Sequence, residues 1–237
     1  MLEKHGVRIA GVSYDAQQTL AAFANKYGIS YPLLSDSKSE TIRRFGIFNF
    51  NMAPDLRSYG VPHPVEYLVA PDGIVVRKYF VENYQHRVTG SAVALQRFGE
   101  TAHGGAVTLN TGAVTVTIRL ASERAFAGQE VAYVADFEVA PGWHVYGKES
   151  GEGFTATEIA FDDPRVVKQS FDLPEPRPMH SGSFRAVGTL LLKFPLPEGP
   201  IELQGRIKLQ QCSDRICEPP QETPFTLALT LDRFVVA

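Results

Sequence analysis

The sequence predicts two folded parts, an α/β layer followed by an all-β sandwich, and three observations carry that expectation. Up to about Phe98, strand-like and helix-like stretches alternate. Beyond a small, polar run at residues 99–105, helical periodicity nearly vanishes and short β-branched runs punctuated by Gly and Pro take over. The length of 237 residues suffices for two cores, each of about 100 to 130 residues. The expected division is therefore 1–98, a linker at 99–105, and 106–237.

The elements follow in order. Residues 7–13 form a short apolar run of the buried-strand type. Asp15 offers an N-cap to a helix that carries Leu20, Ala21, Phe23, Ala24 and Tyr27 on one face and stops at Gly28. A short apolar segment at 31–34 precedes a second helix, expected to begin near Ser37 and end at Gly46. Residues 65–70, the turn Pro71-Asp72-Gly73 and residues 74–80 read as a β-hairpin. A last helix is expected from about Val88 to Phe98. After the linker, the runs at 114–118, 131–139, 189–194, 201–209 and 224–231 belong to a set of seven or more strands. Their spacing fits an immunoglobulin-like sandwich of antiparallel strands.

Composition narrows the function classes. A formal net charge of -3, with Lys and Arg dispersed along the chain, leaves no basic face for a phosphate backbone, so nucleic acid is not an expected partner. No apolar run approaches the roughly 18 residues that span a bilayer, and residues 1–6 carry no apolar core of a signal peptide. No cofactor motif stands out.

The two cysteines of the chain, Cys212 and Cys217, lie in one segment, which makes a pair the leading reading. Were they to close a four-residue hairpin loop as a cross-strand pair, their α-carbons would lie about 4.5 to 5.5 Å apart, within reach of a disulfide. Pro219 and Pro220 remove two amide donors on the exit side, so strand pairing should stop there and leave the cysteines at an accessible edge. Such a ring would contribute about 2 kcal/mol as a staple, which tilts the balance towards function without deciding it. Two thiolates fall short of four zinc ligands, so no metal is expected. Neither His144 nor His180 has a sequence context that marks it as a base for a cysteine nucleophile.

Two resemblances add to this reading. Residues 6–15, 27–36 and 64–73, including Tyr27-Gly28-Ile29-Ser30-Tyr31-Pro32 and Tyr67-Leu68-Val69-Ala70-Pro71-Asp72-Gly73, resemble the later two-thirds of peroxiredoxin-like (AhpC/TSA) redoxins with a thioredoxin fold. The match covers about 5–98 and implies an α/β thioredoxin-like domain without its first strand and cysteine-bearing helix. It also implies a cis-proline at Pro64, facing an active site. The expected cause of the missing strand is a truncated reading frame, which would also account for the absent signal peptide.

The second resemblance rests on Gly142-Trp143-His144-Val145-Tyr146, on Gly153-Phe154-Thr155-Ala156-Thr157-Glu158-Ile159, and on Gln211-Cys212-Ser213-Asp214-Arg215-Ile216-Cys217-Glu218-Pro219-Pro220. These look like the N-terminal periplasmic domain of the DsbD thiol:disulfide interchange family, over about 105–232. The resemblance implies that Cys212 and Cys217 cycle between dithiol and disulfide, with thioredoxin-like proteins or domains as partners, in the periplasm or another extracytoplasmic space. Tyr146 matches a family tyrosine near the site. The family often shields its cysteines with an aromatic cap, but residues 175–182 hold no aromatic side chain, leaving Met179 as the covering group. Two other functions compete: a peroxidase whose catalytic cysteine lies upstream, and a binding module with an inert disulfide.

Overall fold

The computed structural model describes residues 2–51, 53–56, 59–80, 87–99 and 102–233. Its contacts divide the chain between Arg87 and Val88 into two units. No helix among the described residues is long and apolar enough to cross a membrane.

The first unit alternates β1 (Gly11–Ser13), α1 (Gln17–Tyr27), β2 (Leu33–Ser35), α2 (Glu40–Arg44), β3 (Val65–Val69) and β4 (Val75–Phe80). Helix α1 links the parallel pair β1 and β2, in which Gly11 faces Leu33 and Ser13 faces Ser35. It ends as expected at Gly28, whose left-handed backbone (φ 63°) lets its N–H return to the Ala24 carbonyl. Its start differs from expectation. The N-cap is Ala16, with no side-chain bond, because the Asp15 carboxylate instead takes the Ser13 hydroxyl at 2.5 Å. Helix α2 begins at Glu40 rather than near Ser37, since the Asp36 carboxylate accepts the N–H groups of Glu40 (3.0 Å) and Ile42 (2.8 Å) and fixes the first turn there. Strands β3 and β4 form the expected antiparallel hairpin, turned by Gly73 at φ 86°. The β1–β2 and β3–β4 ladders are separate two-stranded sheets. Val12, Leu34, Val69 and Val75 are correspondingly exposed on them. The implied cis bond at Pro64 is absent. Among the described residues the cis peptide is Phe194–Pro195, and Pro64 sits in a trans, half-buried, extended segment before β3.

Two-residue β5 (Arg87–Val88) leads into α3 (Gly90–Phe98), capped by the Thr89 hydroxyl, which accepts the Ala92 N–H at 3.0 Å. This helix goes with the second unit. Its Ala92 and Leu95 are buried with Ala102, Ala121, Ala132 and Val134, on the outer face of the sandwich. Residues 100 and 101 of the expected linker lie outside the described residues.

The sandwich itself is immunoglobulin-like, and its strands are β6 (Ala106–Asn110), β7 (Val114–Leu120), β8 (Arg124–Phe126), β9 (Gln129–Val139), β10 (Trp143–Tyr146), β11 (Glu158–Phe161), β12 (Val166–Asp172), β13 (Met179–His180), β14 (Ser183–Leu192), β15 (Gly199–Leu209), β16 (Gln211–Ser213) and β17 (Gln221–Asp232). One sheet runs β12-β14-β9-β7-β6, the other β11-β15-β17-β8. All these neighbours are antiparallel except β8 and β17, which pair in parallel, a departure from the expected all-antiparallel pattern. Alternation fixes which side chains face inward. Val114, Val116, Ile118 and Leu120 of β7 meet Phe225, Leu227, Leu229 and Leu231 of β17 in one buried cluster. At one end a third sheet, β13-β10-β16, carries the cysteines.

Candidate functional site

Strand β15 runs along β17 until Leu209 pairs with Gln221; at Gln210 the ladder breaks, and β16 pairs with β10 instead. The register then decides which residues share a face. His144 lies opposite Cys212, Val145 opposite both Gln211 and His180, and Tyr146 opposite Met179. Because residues directly opposite point to the same side and neighbours along a strand point to opposite sides, Val145, Gln211 and His180 form the inward face. All three are buried. The other face carries His144, Tyr146, Met179 and Cys212 together.

Cys212 and Cys217 are joined in a disulfide with a Cα–Cα distance of 4.1 Å. They are an isolated antiparallel bridge at the neck of a four-residue loop, which brings them slightly closer than the regular ladder spacing anticipated from the sequence. The loop is self-supporting. The Ser213 N–H donates to the Ile216 carbonyl at 2.8 Å, and the Ser213 hydroxyl accepts the N–H groups of Arg215 (3.3 Å) and Ile216 (3.2 Å). Pairing stops after Cys217, and β17 resumes only at Gln221, past Pro219 and Pro220.

Two glutamines fasten this hairpin to its surroundings. Gln210 accepts the Thr155 N–H at 2.9 Å and donates to the Glu218 carbonyl at 3.1 Å. Buried Gln211 accepts the Ala113 N–H at 3.1 Å and donates to the Glu218 carboxylate, which also receives Gln221 at 3.1 Å. The Glu218 N–H closes the set on the Gln211 carbonyl at 3.0 Å.

The two sulfur-bearing residues differ sharply in access. Cys212 is fully buried, whereas Cys217 is exposed beside exposed Ile216. The Tyr146 hydroxyl lies 3.7 Å from Cys217 Sγ. A disulfide sulfur carries no hydrogen, so tyrosine is the donor. His144 Nε2 lies 3.3 Å from the same hydroxyl, and the two rings meet edge to face. Which of the two donates depends on the histidine tautomer: with hydrogen on Nδ1, Nε2 accepts the tyrosine hydroxyl, and with hydrogen on Nε2 it donates to the phenolic oxygen. Phe154 stacks on Tyr146 with ring centroids 4.4 Å apart and remains 46% exposed. The loop bearing it folds back on β10 through the Thr157 N–H to the Tyr146 carbonyl, 2.7 Å.

Of the sequence-predicted side chains, Cys212, Tyr146 and Met179 lie on this three-stranded sheet, with Met179 51% exposed opposite Tyr146, and Cys217 joins it through the disulfide. Pro64 belongs to the first unit. Sequence reasoning passed over His144 and Phe154. Parity along β10 was a signal for His144, which lies two residues from Tyr146. The aromatic side chain stacked on Tyr146 comes from residue 154 and not from 175–182. Below the site, buried His180 has no hydrogen-bond partner for Nε2 among the described residues; burial, and secondarily Arg177, lowers its pKa.

Comparison with known proteins divides along the same lines. Residues 1–78 match the model of the AhpC/TSA family. Residues 118–229 match that of the N-terminal region of the thiol:disulfide interchange protein DsbD. Two Mycobacterium tuberculosis proteins named as peroxiredoxins, MT2597 and Rv2521, are each 29% identical over 92 residues, 39% of this chain and 55% of theirs. The chain thus spans about half the length of the curated relatives it matches. Among solved structures, the N-terminal periplasmic domain of ScsB from Proteus mirabilis has 22% identity and a TM-score of 0.41, covering 56% of this chain and 52% of that one. The N-terminal domain of Neisseria meningitidis DsbD in the reduced form has 15% identity and a TM-score of 0.25, covering 43% and 82%. The chain joins a segment resembling the AhpC/TSA redoxins to an immunoglobulin-like sandwich resembling the N-terminal domain of DsbD.

Proposed function

We propose that the second unit is a thiol-disulfide interchange module that passes electrons between proteins through Cys212 and Cys217. The observation that carries this reading is the asymmetry of the pair, one cysteine fully buried and the other exposed beneath a tyrosine hydroxyl. Interchange needs in-line approach of a thiolate to one sulfur and a leaving sulfur behind it. A partner thiolate attacks Cys217 Sγ, its electron pair forms the new S–S bond, and the pair of the Cys212–Cys217 bond leaves on Cys212, which takes up a proton. A second partner thiolate then attacks the partner's own sulfur in the mixed disulfide and releases Cys217 reduced. Two electrons have moved from partner to sandwich, and the reverse sequence returns them.

The partner chemistry is that of a thioredoxin-like protein or domain, supported by the likeness of residues 118–229 to a thiol:disulfide interchange protein. An extracytoplasmic site of action, such as the periplasm, fits a disulfide that must persist between turnovers. Tyr146 and Met179 border the attacked sulfur in this reading. Pro64 has no assigned part in it.

The test is to incubate Cys212→Ser and Cys217→Ser variants with an activated thioredoxin-like protein and locate adducts by mass spectrometry. Cys212→Ser should trap the partner on Cys217, and Cys217→Ser should trap little. The reverse pattern would move the attacked sulfur to Cys212. No adduct in either, with a reduction potential below about -300 mV, would make the bridge an inert staple.

A further inference from the structure

We infer that His144 is the proton carrier of the exchange, acting on Cys217 through the Tyr146 hydroxyl. The inference rests on the interchange reading and adds a residue whose role that reading leaves open. Three atoms lie in sequence, His144 Nε2, Tyr146 Oη and Cys217 Sγ, separated by 3.3 and 3.7 Å. Strand parity holds His144 and Tyr146 on one face of β10, and the β10–β16 register sets His144 opposite Cys212 as well. Phe154 stacked on Tyr146 limits the ring's swing and keeps the hydroxyl aimed at sulfur.

The chemistry needs such a carrier. When the reduced sandwich gives electrons to a partner disulfide, Cys217 must act as thiolate, yet an ordinary cysteine has a pKa of about 8.5 and is mostly protonated near neutrality. No helix N-terminus lies at Cys217 to stabilise the thiolate, since it follows a β-hairpin loop. The Cys217 proton passes to the Tyr146 oxygen as the Tyr146 proton passes to Nε2 of His144, present as the Nδ1–H tautomer. The freed thiolate pair forms the new S–S bond with the partner's sulfur. The partner's second sulfur leaves with the pair of the broken bond and is protonated from solvent. In the opposite direction an imidazolium at His144 returns a proton along the same line to the Cys217 thiolate as the partner departs. Tyrosinate, costly near neutrality, never accumulates because both transfers are concerted.

The titratable and charged groups on the elements around His144 are few. Tyr146 shares its strand; the hairpin brings Cys212, Cys217, Asp214, Arg215 and Glu218; the loop after β10 brings Lys148, Glu149 and Glu152; and β9 brings Glu138. Of these, Glu218 is engaged by Gln211 and Gln221, and Lys148 by the Phe171 carbonyl. His180 pairs with Val145 and takes the opposite face. His144 is the imidazole on the face that carries Tyr146 and Cys212.

The test follows the rate at which the reduced protein attacks 4,4'-dithiodipyridine, a small disulfide, from pH 5 to 10, with oxidised thioredoxin as a second acceptor. The wild type should show a second limb below the thiol titration. In His144→Asn that limb should vanish and the rate at pH 7 fall by about 10- to 100-fold, the low end of what positioned proton transfer contributes. The curves should converge at about pH 10, where the thiolate forms without help. Tyr146→Phe should give the same profile, and the double variant should lose nothing further. Superimposable profiles, or an equal loss at every pH, would overturn the relay. Failure of the wild type to reduce thioredoxin, with the dye profiles as expected, would sink the interchange reading and leave the relay standing.

Discussion

The buried histidine on the core side of the cysteine sheet sets a pH dependence of its own. His180 is held neutral, its pKa lowered first by burial and then by Arg177, while Glu149 and Glu175 pull weakly the other way. Above the unfolded value of about 6.5 neither state is protonated and the group contributes no difference. As pH falls below that value, the unfolded chain binds a proton that the folded chain refuses, so stability declines until the folded pKa is passed. Urea melts of the second unit should therefore lose stability as pH falls below about 6.5. His180→Leu should flatten that decline; an unchanged slope in the variant would place its origin elsewhere.

At the scale of elements, the short strand β13 stays against β10 because Gly147 admits the backbone that precedes it. The Gly147 N–H donates to the Pro178 carbonyl at 2.9 Å, and a Cβ built on Gly147 would sit 2.1 Å from the Arg177 carbonyl oxygen. Gly147→Ala should push β13 outward, destabilising the unit by about 1 to 3 kcal/mol, as overpacking typically does. It should also speed reduction of the disulfide by a small thiol, since Met179 moves away from Tyr146. Chemical denaturation and the rate of reduction by dithiothreitol read these effects separately. A variant as slow to reduce as the wild type would mean that β13 shields nothing. Some of this was readable from the chain alone. The cysteine loop and its proline exit follow from local turn chemistry, and the sandwich strands from alternation. Pairing of β10 with β16, however, joins residues some 70 positions apart. Nothing local says that Cys212 meets His144. Phe154 was hidden for a related reason: its loop carries no periodicity, and only its return along β10 brings the ring to Tyr146. The Asp15 cap failed because a nearer donor, the Ser13 hydroxyl, captured the carboxylate first.

Across the whole molecule the two units differ in how much ladder each closes. In the first, β1–β2 and β3–β4 are separate two-stranded sheets with apolar side chains exposed, and isolated two-stranded pairs are marginal in water. In the second, β15 and β17 pair from Gly199–Leu231 to Leu209–Gln221 over a continuous core. Hydrogen exchange should be fast in β1 to β4 and slow by orders of magnitude in β9, β15 and β17. Equal protection in both would mean that another surface completes the first unit's sheets. The alternation of elements in that unit was legible in sequence because each helix carries its own stop signal. The docking of α3 on the sandwich was not, since an apolar helix face does not name the surface it will cover. A frame of glutamines surrounds the cysteine loop. Gln210, Gln211, Gln221 and Glu218 hold the loop through bonds that involve neither sulfur. Under the proposed interchange, reduction removes none of these bonds, so the oxidised and reduced forms should present nearly one face to a partner. On that proposal a partner would find little difference in shape to sort the two forms by, reorganisation would add little to the barrier, and the direction of flow would follow the difference in potential.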